Sequence, residues 1–275
     1  RQALDESRVR AVMRGHQDWV TGVAYSRDRD WVATASNDRT VRIWSAADGS
    51  QKTLLHLDAR PNSLVRPEFS PNGQRVLITT DDGSAWLWSW RRSGKPIRLG
   101  KFVTTATFGP KVGEAVTGDV RGRVHVWDAA TGREYARSLV LGTAPVTALA
   151  FSPDHTMLAA GDQVGGAAIW DTRSGRRTMI PLGSETASVS AAAWNRDGNE
   201  LVVGRSDGTA GIHHVRRGRP TGPVVEFNAT SRDSPVERVA FSAADLVLTA
   251  GGKTASVWRT SSSSSTATGC CWPIA

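Results

Sequence analysis

Short runs in which apolar residues alternate with small or polar ones recur along the chain. The clearest set is VTGVAYS at 20–26, WVATAS at 31–36 and TVRIW at 40–44. Alternation with a period of two, rich in β-branched and aromatic residues, predicts β-strands. Asn37-Asp38-Arg39 predicts a tight turn, because Asx side chains hydrogen-bond locally and tolerate unusual backbone angles. The segment SAADGSQKTLLHL that follows predicts a turn and a fourth, outer strand.

A tryptophan ends the third run of almost every unit of this kind. The spacing is 44, 39 and 43 residues, followed by a double step of 88 residues with His213 near its middle. A fixed period in this range is typical of a repeat architecture. The tryptophans are Trp44, Trp88, Trp127, Trp170 and Trp258.

The repeat predicts an all-β fold, a β-propeller of four-stranded antiparallel blades. Four short strands in every ~43 residues, repeated radially, are the arithmetic of that fold. A lone four-stranded sheet cannot cover both of its faces, whereas sheets stacked around an axis bury them. Six units are visible, so six blades are favoured, and seven is the alternative if the chain is truncated.

Several short motifs resemble the WD-repeat (WD40) propeller family over residues 15–258. They are Gly15-His16 before the first strand, SNDRT at 36–40, FSPNG at 69–73, Trp127-Asp128 and Trp170-Asp171. The resemblance implies that a His, a hydroxyl, an Asp and the Trp form a buried hydrogen-bond chain within a blade. In the first unit those positions hold His16, Thr34, Asp38 and Trp44. A His–Asp–hydroxyl set also resembles a catalytic triad, but we interpret it as structural, since buried polar groups must satisfy one another.

Later units depart from this pattern, so we expect only the first to keep the full chain. The departures are Arg60 at the His position, Ile78, Ala160 and Val203 at the hydroxyl position, Arg121 and Val164 at the Asp position, and His213 at the Trp position.

The pattern divides the chain into three segments. Residues 1–14 contain a strand-like run that we expect to supply the outer strand of the last blade. Residues 15–258 are the propeller, and the Ser-rich residues 259–275 predict a flexible tail. The chain opens on Arg1 rather than Met, so we expect a fragment of a longer protein.

The net charge is +8. One interpretation is an acidic partner, a nucleic acid or an anionic surface. The other is codon usage in a GC-rich genome, because the arginines are scattered rather than clustered. Cys270 and Cys271 are adjacent and cannot form a disulfide framework, which fits a reducing cytosol. No apolar run approaches the ~18 residues that span a membrane, so we expect a cytoplasmic protein without a membrane partner.

Motifs for catalysis, metals and cofactors are weak. GGKT at 251–254 resembles the end of a phosphate-binding loop, but Val247 replaces the first glycine and a strand-like run follows. His213 and His214 are adjacent, so they point to opposite faces of a strand and do not form a metal pair. We therefore expect no catalytic residues, no metal and no cofactor.

The remaining candidate is a face built from loops. The resemblance implies that the Gly-His loops and the Asp turns lie on one side and bind partners. The guanidinium group of an arginine binds a carboxylate through a pair of hydrogen bonds, and an exposed Trp can anchor an interface. The predicted partner-binding face comprises Asp18, Trp19, Asn37, Arg39, Arg60, Asn62, Asp81, Arg121, Gln163, Arg205, Arg232 and Lys253.

These observations favour a non-catalytic protein-interaction scaffold or sensor that binds an acidic peptide or protein. The Arg- and Ala-rich repeats resemble bacterial WD-repeat regions, which often follow a signalling ATPase or Ser/Thr kinase domain. Nucleic-acid binding through the basic face is the alternative, but few aromatics accompany the arginines for base stacking. An enzyme with a site at the propeller axis needs convergent carboxylates, His or metal ligands, and the candidate positions hold mostly Arg, Asn and Gln.

Overall fold

The structure is a computed structural model. It describes residues 11–58, 65–92, 94–109, 113–135, 138–172, 174, 176–180, 187–230, 234–242, 246–252, 254–259 and 272–273.

Every helix or strand element in those ranges is a β-strand, and the strands form six four-stranded antiparallel sheets. The prediction of an all-β fold is confirmed, and the sheets are consistent with a β-propeller. The number of blades stays a prediction. The chain divides into two compact units, and their ranges are Arg1–Phe108, Val112–Thr117 and Trp127–Glu134 for unit 1, and Gly109–Lys111, Gly118–Val126 and Tyr135–Ala275 for unit 2.

Unit 1 contains the first two sheets, each with its strands in chain order. The first sheet consists of β1 (Val20–Tyr25), β2 (Trp31–Ser36), β3 (Thr40–Ser45) and β4 (Gln51–His56). The second consists of β5 (Val65–Phe69), β6 (Val76–Thr80), β7 (Ala85–Trp88) and β8 (Ile97–Arg98).

The residues of the third sheet are divided between the two units. Its strands, again in chain order, are β9 (Val103–Phe108), β10 (Glu114–Asp119), β11 (Arg123–Asp128) and β12 (Leu139–Val140).

Unit 2 contains the last three sheets. The fourth has β13 (Val146–Phe151), β14 (Met157–Asp162), β15 (Ala167–Asp171) and β16 (Arg177–Met179). The fifth has β17 (Val189–Trp194), β18 (Glu200–Arg205), β19 (Thr209–Arg216) and β20 (Arg219–Asn228). The sixth has β21 (Arg238–Phe241), β22 (Leu246–Gly251), β23 (Thr254–Arg259) and β24 (Trp272–Pro273).

The second strands of the first, third, fourth and fifth sheets are buried on both faces after their first residue. In β2 every residue from Val32 to Ser36 is buried, and β14 and β18 have the same burial pattern. The core of unit 1 joins the first two sheets through Ile43, Ile78 and Trp88 among others. Sheets with both faces buried lose the strict alternation of a half-exposed strand.

In the first sheet, the turn between the first two strands is closed by a hydroxyl at its start. The Ser26 Oγ accepts the backbone N–H of Trp31 at 3.0 Å and donates to Asp28. The fourth residue of this turn takes a left-handed conformation, which favours glycine because it has no Cβ. Gly198 fills that place in the fifth sheet with φ 68°, whereas His155 fills it in the fourth with φ 58°.

The outer strand of the last sheet comes from the C-terminal segment. Trp258 pairs with Pro273, and Arg259 with Trp272, through backbone register. This differs from the expectation that residues 1–14 supply this strand and that 259–275 is a flexible tail. Residues 11–14 are in no strand, and 1–10 lie outside the described ranges. An open strand edge can pair with any short extended segment. The Ser-rich composition of a segment does not show whether such pairing takes place. The three segment boundaries otherwise stay a prediction.

Candidate protein-interaction surface

A chain of hydrogen bonds joins four side chains of the first sheet. The indole N–H of Trp44 donates to Thr34 Oγ1 at 2.7 Å, and His16 Nε2 lies 2.7 Å from the same oxygen. His16 Nδ1 lies 2.9 Å from Asp38 Oδ2, and the backbone N–H of Gln17 donates to that oxygen at 3.0 Å. These are the four positions that the WD-repeat motifs single out.

Asp38 is the charged end of this chain of hydrogen bonds. Burial alone would raise the pKa of Asp38, but hydrogen bonds from Thr40, Gln17 and His16 hold it well below its ordinary value. The ionised carboxylate therefore ties the loop before β1 to the turn between β2 and β3. Thr34 is buried and already accepts the Trp44 indole, so this hydroxyl is not presented to a substrate as a nucleophile would be.

The loop that carries Asp18 and Trp19 is hydrogen-bonded to the β2–β3 turn. The N–H of Asn37 donates to the Trp19 carbonyl oxygen at 3.0 Å, and Ser36 Oγ donates to the Asp18 carbonyl oxygen at 3.1 Å. Arg39 follows in the same turn and is exposed. Four residues of the predicted partner-binding face, Asp18, Trp19, Asn37 and Arg39, therefore lie on two joined loops of one sheet.

The residues of the whole predicted face are divided between the two units. Asn37 is partly buried, and the exposed members are Asp18, Trp19, Arg39 and Asp81 in unit 1 and Arg121 and Gln163 in unit 2. Arg60, Asn62, Arg232 and Lys253 lie outside the described residues.

Arg205 is not on an exposed face, and this part of the prediction is wrong. Its side chain is 1% exposed, and its guanidinium donates to Glu226 Oε1 at 2.9 Å and to Thr209 Oγ1 at 3.1 Å. Arg205 ends β18 as Ser36 ends β2, at a position whose side chain turns inward. The local sequence RSDGT does not show whether the arginine is buried or exposed. The residue that pairs with it, Glu226, lies two strands further along the chain.

His213 is buried on the same sheet as Arg205. It is 2% exposed, and neither ring nitrogen has a hydrogen-bond partner within the described part of the chain. Its place is that of the repeat tryptophan, and Val203 supplies no hydroxyl opposite it. Burial lowers the pKa of His213 to about 4, and the Arg205 charge acts in the same direction. The imidazole is therefore neutral at neutral pH.

Two carboxylates that the sequence analysis missed close the turns of the third and fourth sheets. Asp119 Oδ1 accepts the backbone N–H groups of Arg121 and Arg123 at 2.8 and 2.9 Å. Asp162 Oδ1 accepts those of Val164 and Gly166 at 3.0 and 2.7 Å. Each aspartate stands two positions earlier than the aspartate of the motif. A Gly-Asp pair at the strand end, followed by glycine three residues later, was the available signal.

An apolar surface lies along the first strand of unit 1. We call it the first-strand surface, and it consists of Trp19, Val20, Val23 and Tyr25, whose side chains are 81%, 54%, 64% and 64% exposed. The valines at the position of Val20 in other sheets are at most 4% exposed. These are Val103, Val146 and Val189. Exposed apolar side chains grouped along one strand are candidates for an interaction surface.

Within the described ranges, no group of three or more His, Cys, Asp or Glu side chains is arranged to hold a metal ion. The same ranges contain no helix with the length and apolar character that crossing a membrane requires.

Comparison with protein families gives two matches. A family model described as nucleolar protein 10-like, N-terminal domain, matches residues 92–269. A model of the WD domain, G-beta repeat, matches residues 7–45.

Similar curated proteins include two named protein transport protein SEC13. That of Phaeosphaeria nodorum is 36% identical over 88 residues, covering 30% of this chain and 28% of the relative. That of Kluyveromyces lactis is 37% identical over 89 residues, covering 30% of each. Protein tipD of Dictyostelium discoideum is 30% identical over 141 residues, covering 48% of this chain and 21% of the relative. The matches span less than a third of each relative's length. All three are eukaryotic and lend no support to a bacterial signalling protein.

Proposed function

This chain belongs to the nucleolar protein 10-like N-terminal-domain family of β-propellers, and from that premise we propose that it is a non-catalytic scaffold that binds a protein partner. The observation that carries the proposal is the first-strand surface. Val20 is exposed where the matching valines of other sheets are buried, and Trp19, Val23 and Tyr25 are exposed beside it. Protein partners cover such surfaces, and an exposed indole is a frequent anchor of the contact.

The loops beside this surface favour a partner with a carboxylate near its apolar contact. Arg39 is exposed in the turn that is hydrogen-bonded to the Trp19 loop. A guanidinium binds a carboxylate through two parallel hydrogen bonds. An acidic residue placed next to an apolar side chain of the partner therefore complements Arg39 and Trp19 together. The wider face, with Asp81, Arg121 and Gln163, stays a prediction.

The relatives agree with a partner that is a protein, since two of them are named protein transport proteins. A cytoplasmic location and an adjoining ATPase or kinase domain stay predictions. The experiment must distinguish binding of a protein from binding of a nucleic acid.

The test is a pull-down from nuclease-treated extract at ~150 mM salt, where exposed charges are screened within about 8 Å. The baits are the parent chain, Trp19→Ala, Arg39→Glu and the matched control Phe102→Ala. Phe102 is another exposed aromatic of unit 1, 59% exposed, outside the first-strand surface. We expect one protein to be captured by the parent and Phe102→Ala and lost with Trp19→Ala and Arg39→Glu. Equal capture by all four baits contradicts the proposal, as does capture that disappears with the nuclease.

A further inference from the structure

Arg91 is stacked on two tryptophans where β1 turns into β2. Its guanidinium carbon lies 4.4 Å from the ring centre of Trp90 and 5.3 Å from that of Trp31. The two indole rings are 5.0 Å apart. Trp90 is buried, and its N–H donates to the Gly73 carbonyl oxygen at 2.9 Å. The second sheet therefore fixes the ring on which the arginine lies.

The guanidinium of Arg91 is held in place but has free donors. Arg91 is exposed, and within the described ranges its guanidinium makes no hydrogen bond or ion pair. Stacking uses the face of the guanidinium, so the N–H groups in its plane stay available. Hydrogen bonds from Ser26 and Asp30 lower the pKa of Asp28, and the Arg91 charge adds a smaller effect in the same direction. That carboxylate accepts Ser26 Oγ and the backbone N–H of Asp30.

A preorganised arginine of this kind binds a carboxylate with little loss of side-chain entropy. Most exposed arginines must be ordered when they bind, and each such side chain costs about 0.5–1.5 kcal/mol. Stacking on Trp31 and Trp90 has already ordered Arg91. Its fork geometry matches the two oxygens of a carboxylate.

The charges around Arg91 favour an acidic peptide over a nucleic acid. The two turns that meet here also expose Arg27, Arg29 and Arg92. Asp28 and Asp30 lie among them, and such carboxylates repel a continuous phosphate backbone. Trp90 is buried and Arg91 lies over its ring, so this indole is not available for a base to stack on.

We propose that the Arg91–Trp31–Trp90 stack is a docking point for an acidic segment of a protein partner. It is distinct from the first-strand surface. Trp31 packs towards the core between the first and second sheets, whereas Val23 and Tyr25 are exposed. Arg39 lies at the other end of the first sheet's strands. The proposal therefore stands or falls independently of the proposed function.

The test measures binding of a fluorescein-labelled peptide of alternating glutamate and phenylalanine to the full chain, by fluorescence anisotropy at ~150 mM salt. Arg91→Gln removes the fork and the charge, and Arg91→Lys keeps the charge alone. Arg98→Gln is the matched control. Arg98 also lies over an indole, 5.5 Å from the ring of Trp86, but its guanidinium already donates to Ser84 Oγ at 3.0 Å.

We expect Arg91→Gln to weaken binding about tenfold or more, as for a lost charge-assisted hydrogen bond. Arg91→Lys loses part of the affinity, and Arg98→Gln leaves it unchanged. Capture through Trp19 is unaffected by either change at Arg91. The proposal is overturned if the parent does not bind the peptide, or if the Arg91 and Arg98 variants bind equally. It is also overturned if an oligothymidine probe binds more tightly with the same dependence on Arg91.

Discussion

The buried imidazole of His213 makes the stability of the chain depend on pH in a defined window. Its pKa is about 4 in the folded chain, against an ordinary value of 6.5. Above pH 6.5 the folded and unfolded chains both hold neutral imidazole, and the full stability is present. As the pH falls from 6.5 towards 4, the unfolded chain binds a proton that the folded chain does not, so stability is lost.

The size of this loss follows from the two pKa values. At ~1.4 kcal/mol for each pH unit, His213 accounts for a loss of about 3 kcal/mol once the pH is below 4. At pH 5 the loss is about 2 kcal/mol. Replacing the imidazole by the similar-sized ring in His213→Phe removes the titrating group. The variant is expected to keep the stability that the parent loses through this residue.

The assay is urea unfolding of the parent, His213→Phe and the matched control His214→Phe at a series of pH values from 7.5 to 4.5. His214 is the neighbouring residue but is half exposed and faces Glu200 at 3.3 Å. The stability of His213→Phe relative to the parent should increase as the pH falls, whereas His214→Phe should retain the parent's loss through His213. A stability difference between parent and His213→Phe that is the same at pH 7.5 and pH 5 would refute the burial argument.

Three further changes test other parts of the structure. Thr34→Val removes the oxygen shared by Trp44 and His16 and should lower the free energy of unfolding in urea by about 1–3 kcal/mol. Thr117→Val removes only the hydrogen bond from the Trp127 indole, so an equal loss for both variants would contradict the network. Burial raises the pKa of Glu68 despite hydrogen bonds from Phe108 and Thr107, so the parent should lose stability as the pH rises through that pKa and Glu68→Gln should not; parallel pH profiles would contradict this. His155→Gly should raise the melting temperature, because it relieves a left-handed residue at a net gain of up to about 1 kcal/mol; a lower melting temperature would show that the turn is not strained.

Most of the fold is predictable from the sequence, because strand alternation and the tryptophan period are local signals. The His16 network is predictable for the same reason, since all four residues lie within one unit. Burial of individual strands is not. VTGVAY and VTALAF have nearly the same pattern, yet Val20 is 54% exposed and Val146 is fully buried. That difference depends on what covers the strand rather than on the strand itself.

The stack on Arg91 could not be predicted for a related reason. The alternating tryptophans at 86, 88 and 90 predict a shared strand face, but they do not say which side chain lies over them. Arg91 meets Trp31 across two sheets, and the two residues are far apart in the chain. Only the packing of one turn against another brings them together.

The ion pair between Arg205 and Glu226 has a consequence for assembly of the repeats during folding. In a protein built from similar repeats, a strand of one repeat can pair wrongly with a strand of another during folding. In the fifth sheet, Glu226 lies opposite Gly211 in the register of β19 and β20. β4 and β16, the outer strands of the first and fourth sheets, contain no carboxylate. A wrong outer strand would leave the Arg205 charge buried without a counter-charge, at a cost of several kcal/mol. The fifth sheet, in which His213 replaces the repeat tryptophan, is therefore protected against taking the outer strand of the first or fourth sheet.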